Sequence, residues 1–66
     1  MLSPDMNLPP VEYIGERAFE EPFTMHGYRF LFCNVRIKGV LDIGVYCYDT
    51  DMAYDYQSWR EAFNLK

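Results

Sequence analysis

Histidine, cysteine and basic side chains are scarce in this sequence. His26 is the only histidine, Cys33 and Cys47 are the only cysteines, and six lysines and arginines stand against ten aspartates and glutamates. Each scarcity excludes a class of chemistry. A catalytic histidine works beside a positioned nucleophile or carboxylate, but His26 sits next to Gly27 in an expected tight turn with only Thr24 and Glu21 near it. Structural zinc takes four ligands; one histidine and two cysteines leave such a site short, and no CxxC or HxxxH spacing occurs. Two cysteines are also too few for a secreted disulfide framework. They read as free thiols buried as small hydrophobes. The expectation is a chain that is not an enzyme and holds no metal or cofactor.

Basic residues form no stripe. Arg29, Arg36 and Lys38 are the densest group, and the net charge is −4. Nucleic-acid binders carry a basic face that neutralises phosphates, so direct binding of DNA or RNA is disfavoured. An acidic chain is instead steered toward a basic surface, although the same charge also serves solubility alone. No apolar run approaches the roughly 20 residues that span a bilayer. The start, Met1-Leu2-Ser3-Pro4-Asp5, has no positive n-region and no apolar h-region. A cytoplasmic protein without a membrane segment is expected.

Aromatic residues are abundant. Six tyrosines, five phenylalanines and one tryptophan occur among 66 residues, and half the chain is hydrophobic. A chain this short buries only about 60% of its unfolded surface, so its stability margin is thin. Large rings make up for this, since each buries about 150–250 Å². Such a composition describes a packed domain and excludes disorder.

Residues 1–10 hold three of the four prolines and little periodicity, which suggests an extended arm. Residues 11–66 read as one small domain. Val11 to Phe19 alternates in hydrophobicity and predicts a strand, with Gly15 marking a bulge or bend. Pro22 interrupts the pattern. Phe23-Thr24-Met25 leads into a turn at His26-Gly27, where a short fourth strand is possible. Tyr28–Ile37 and Val40–Tyr48 form the clearest strands, joined by a two-residue loop at Lys38-Gly39 that pairs Ile37 with Val40. That register puts Phe30, Phe32, Leu41, Ile43, Val45 and Cys47 on one face. Leu31, Cys33, Val35, Ile37, Val40, Tyr46 and Tyr48 lie on the other, so the two thiols cannot pair.

Asp49-Thr50-Asp51 offers caps for a helix start. Met52, Tyr56, Trp59 and Phe63 then recur at helical spacing, which predicts a helix from Met52 to Asn64. The expected fold is α+β: a three- to four-stranded antiparallel meander with one C-terminal helix packed on one face. Both sheet faces are apolar and one helix covers one of them. The other needs the N-terminal arm, a second copy or a foreign partner.

Two groups suggest how a partner is met. Glu12, Glu16 and Glu20 recur on one side of the first strand, with Glu21 adjoining. At roughly 3.3 Å per residue, Glu12 to Glu16 spans about 13 Å, an imperfect imitation of phosphate spacing. The same row also works as a charged edge that resists aggregation. Tyr46, Tyr48 and Tyr54, with Asp49, Asp51 and Asp55 beside them, form the second group. Tyrosine is enriched at interfaces and in strands. The aspartate spacing resembles the opening of a calcium loop, but Tyr54 and Arg60 stand where its glycine and final glutamate belong.

Small, acidic, tyrosine-rich and confined to one domain, the chain is similar in composition to phage-encoded inhibitors of host defence, including anti-CRISPR proteins and uracil-DNA glycosylase inhibitors. The resemblance rests on no motif. It implies a stoichiometric inhibitor in the host cytoplasm that occupies the basic surface of a larger, nucleic-acid-handling protein. The alternative is a homodimeric structural or assembly adaptor.

Overall fold

In a computed structural model that describes residues 8–63, five antiparallel strands form one sheet followed by a short helix. The strands are β1 (Glu12–Glu16), β2 (Phe23–Met25), β3 (Tyr28–Ile37), β4 (Val40–Cys47) and β5 (Met52–Asp55), and the helix is α1 (Tyr56–Ala62). The order across the sheet is β1-β3-β4-β5, and β2 pairs with the other end of β3 on the side that β1 occupies. The α+β meander read from the sequence is the observed fold, with more strands than expected.

Two tight turns set the register. Lys38 and Gly39 both have positive φ, 52° and 81°, as do His26 and Gly27, at 53° and 82°. Two consecutive left-handed residues match the right-handed twist of a hairpin, and glycine adopts the second without strain. Ile37 therefore meets Val40, and Met25 meets Tyr28. Every residue of β3 and β4 then falls on its expected face. Cys47 joins the core beneath the helix while Cys33 lies on the opposite side, and both are free and buried.

The helix is shorter than the sequence suggested. Met52–Asp55 is a strand, and the chain turns helical only at Tyr56. Asp51, at φ 58°, reverses the chain and sets Met52 opposite Cys47. Alternation then wins over the helical stripe: Ala53 enters one cluster and Tyr54 the other. Pairing with β4 overrides the helix preference of Met and Ala. The cap is Asp55, whose carboxylate accepts from the Ser58 backbone N–H and hydroxyl, and not the Asp49–Asp51 stretch. Tyr56, Trp59 and Phe63 keep the expected spacing, while Met52 is exposed. The expected helix end at Asn64 lies outside the described residues, as do residues 1–7 of the arm.

The main core lies between the helix and the sheet. Phe30, Val45, Cys47, Tyr54, Trp59 and Phe63 are buried together, with Phe23, Phe32, Tyr28 and Leu8 packed around them. Trp59 meets Phe23, Phe30 and Phe32 edge-on at 5.5–6.0 Å, a favoured quadrupole arrangement. Its indole N–H is buried without a hydrogen-bond partner among the described residues.

The opposite face shelters itself. The sheet curls until Val11 bridges to Ala53 of β5, its N–H donating to the Ala53 carbonyl at 2.9 Å. Cys33, Val35 and Ala53 are enclosed within this curl, with Val11, Ile37 and Tyr46 beside them. Gly44 permits the closeness: a Cβ there would stand 2.7 Å from the Tyr54 carbonyl and press into Val35. The expectation that a whole face lacks a cover is therefore corrected. Curvature encloses the middle of that face and leaves Tyr13, Val40 and Tyr48 exposed at its margins; Ile14, Leu41 and Ile43 are exposed at the far end of the helix side.

Candidate functional site

A bulge in β1 decides where the acidic residues go. Glu12 is opposite Arg36 and Tyr13 opposite Val35, but Gly15 is opposite Asn34, leaving Ile14 as the extra residue. One added residue reverses the alternation that follows it. Glu12 stays on the helix side, where its carboxylate pairs with Arg36 at 3.2 Å. Glu16, opposite Cys33, moves to the curled side with Tyr13. The row of Glu12, Glu16 and Glu20 expected from simple alternation is thus broken. Glu20 makes a loose pair with Arg17 at 3.9 Å, and Glu21 is exposed in the connection before Pro22.

At the open end of the curled face, tyrosines meet. Tyr13 and Tyr46 have ring centroids 5.5 Å apart, and Tyr46 meets Tyr48 edge-on at 5.0 Å. The Arg29 guanidinium lies over Tyr48, 5.3 Å from its centroid. Tyr13 and Tyr48 are each 43% exposed, so this is surface and not core.

The β4–β5 loop holds the rim. Its four residues, Tyr48 to Asp51, are closed by the Asp51 N–H donating to the Cys47 carbonyl at 2.9 Å. Asp49 accepts from the Arg29 backbone N–H at 2.9 Å, tying the loop to β3. The Tyr46 hydroxyl donates to the Asp51 carboxylate. Losing that proton would set two anions together, so the hydrogen bond pushes the Tyr46 hydroxyl up to about 12. The Tyr13 hydroxyl is also raised, first by burial and then by the Glu16 carboxylate on the same face.

Of the residues singled out in the sequence, the fold gathers Glu16, Tyr46, Tyr48, Asp49 and Asp51 on this end. It removes Tyr54, which is buried in the core at 2% exposure with its hydroxyl 2.8 Å from that of Thr50. Tyr54 cannot serve as a contact residue. Asp55 is occupied as the helix cap. Glu12 belongs to the other face.

The sequence reading missed Tyr13 and Arg29 as members of the cluster. Tyr13 precedes the bulge and shares a face with Val11 by simple alternation; its contact with Tyr46 follows from the curl that brings Val11 to Ala53. Phe19 was also missed. It is fully exposed in a turn with φ 67°, where a bulky side chain is uncommon.

A shallow depression of about 470 Å³ lies on the helix side, lined by Ile14, Arg17, Asn34, Leu41, Asp42 and Ile43. Arg17 donates to the Asn34 side-chain carbonyl at 3.2 Å along it. His26 stands in its turn with its ring against Phe63 at 5.4 Å, away from both surfaces. Among the described residues no group of three or more His, Cys, Asp and Glu side chains could hold a metal, and no helix is long and apolar enough to cross a membrane.

No protein-family model matches the chain, and neither a curated protein nor a solved structure matches it.

Proposed function

We propose that the chain is an acidic protein-binding module that docks the Tyr13–Tyr46–Tyr48 end on the basic surface of a larger protein, as a stoichiometric inhibitor of a nucleic-acid-handling effector. The observation that carries this reading is the cluster itself: a half-buried Tyr46 in ring contact with Tyr13 on one side and Tyr48 on the other, both of these exposed, with Glu16, Asp49 and Asp51 at its border. None of those carboxylates is in a salt bridge among the described residues, whereas Glu12 and Glu20 are. Three carboxylates against the one Arg29 guanidinium leave an excess of negative charge beside the rings, which favours fast, oriented encounter with a positive patch. The work would take place in the cytoplasm of the cell that holds the effector.

The test is capture followed by competition. Immobilised chain is passed over a lysate of its native cells, and the retained protein is identified by mass spectrometry. The chain should then displace nucleic acid from that protein at one-to-one stoichiometry. Retained proteins that bind no nucleic acid, or a complex that binds it unhindered, refute the inhibitor reading.

A second reading, a homodimeric adaptor, is favoured by Ile14, Leu41 and Ile43, which are 40%, 65% and 41% exposed around one depression. Sedimentation separates the two. A dimer that Leu41→Lys dissociates supports the adaptor, and a monomer at high concentration removes it.

A further inference from the structure

We propose that Tyr13, Tyr46 and Glu16 form the receiving surface for an arginine side chain of the partner. This rests on the protein-binding reading above and specifies the chemistry of its contact.

The structure already places one guanidinium on this cluster. Arg29 lies over the Tyr48 ring at 5.3 Å, within the roughly 6 Å at which a cation is drawn to an aromatic face. The next rings in the row, Tyr46 and Tyr13, have no cation over them among the described residues. Tyr13 is 43% exposed and so can take one. Arginine suits the position better than lysine, because a planar guanidinium stacks on a ring and forks onto a carboxylate at once.

The carboxylate is Glu16. The bulge moves it from the helix side to the tyrosine side, two residues along the face from Tyr13 when counted on β3: Tyr13 is opposite Val35 and Glu16 opposite Cys33. Two strand positions correspond to about 6.6 Å at roughly 3.3 Å per residue, within reach of long side chains. An incoming guanidinium over Tyr13 would therefore meet a carboxylate at its edge. Glu16 has no salt-bridge partner in the chain among the described residues. Asp51 is already engaged by the Tyr46 hydroxyl; it fixes the Tyr46 ring and adds to the negative field.

Other surfaces carry less. The Ile14–Leu41–Ile43 depression shows nothing that selects its occupant, and Arg17 beside it is already bonded to Asn34. Phe19 is an exposed ring without a pocket around it.

The experiment is an NMR titration of the full chain with three peptides: tetra-arginine, tetra-lysine and tetra-glutamine. The proposal expects saturable shifts of the Tyr13 and Tyr46 ring protons with tetra-arginine. The affinity for tetra-lysine should be about 2- to 5-fold weaker, and tetra-glutamine should give no response. Glu16→Gln should weaken tetra-arginine by several-fold, and Tyr13→Leu should remove the Tyr46 ring shifts. Equal affinity for tetra-arginine and tetra-lysine, or shifts spread over all acidic residues with the rings unmoved, overturns the proposal. Wild-type shift mapping alone decides this if Tyr13→Leu does not fold. Failure here with a partner still captured from the lysate leaves the binding module standing without its arginine contact. Failure of capture with a positive titration does the reverse.

Discussion

Glu12 and Glu16 lie four residues apart in one strand yet occupy opposite faces of the sheet. Ile14 is inserted between the pairings of Tyr13 with Val35 and of Gly15 with Asn34. The first carboxylate is spent on Arg36, and the second joins the tyrosines. A single extra residue thus divides the acidic residues of β1 into a structural one and a free one.

Gly44→Ala should unfold much of the protein. The new methyl would meet the Tyr54 carbonyl at 2.7 Å and the Val35 side chain closer still. Overpacking of this kind costs about 1–3 kcal/mol, and more where backbone must move. In a domain of this size that is a large part of the total. Urea titration followed by Trp59 fluorescence should show a midpoint well below wild type.

Phe19→Gly should raise stability. A left-handed residue with a side chain costs about 1–2 kcal/mol, and glycine gives back part of the gain through its unfolded-state entropy. A net gain of about 0.5–1 kcal/mol is expected from the same titration. Phe19 is fully exposed, so its removal forfeits no burial. A destabilised variant would mean that the ring packs against something in the native molecule.

Asp55→Ala should cost about 1 kcal/mol, the usual worth of a helix cap. Asp55→Asn should cost less, because it keeps an acceptor for the Ser58 N–H. The difference between the two isolates the cap from the charge.

Alkaline pH should weaken the fold. Burial pushes the Cys33 thiol from 9.0 to about 11, and the bond to Asp51 is the chief reason the Tyr46 hydroxyl moves from 10.0 to about 12. Both groups hold their protons more tightly when folded. Their contribution is complete below about pH 9 and is lost as pH rises through about 11 to 12. Urea midpoints should fall between about pH 8 and about pH 10.5. Tyr46→Phe should reduce the fall, and in a spectrophotometric titration it should remove a tyrosine that ionises at about pH 12.

Much of the sheet was legible in the sequence because its signals are local. Lys38-Gly39 and His26-Gly27 fix two hairpins, and period-two alternation then assigns Phe30, Cys33 and Cys47 to their faces. The start of the helix was not legible. Met52, Tyr56, Trp59 and Phe63 fit a helical stripe, and only the pairing of Met52–Asp55 with β4 reveals a strand. That contact is made in three dimensions, and alternation over four residues is too short to announce it. The curl was hidden for a similar reason: Val11 and Ala53 are far apart in the chain. The tyrosine end was half visible. Tyr46, Tyr48, Asp49 and Asp51 are neighbours in sequence, but Tyr13 joins them through the curl and Glu16 through a bulge whose sole sign is Gly15.

The central claim is that the tyrosine face, and not the helix side of β1, meets the partner. The most direct measurement compares what immobilised wild type, Glu12→Lys and Glu16→Lys retain from one lysate of the native cells, after circular dichroism shows that all three are folded. The account predicts that Glu12→Lys keeps the partner and Glu16→Lys loses most of it. Equal retention by both, or a loss confined to Glu12→Lys, would contradict it.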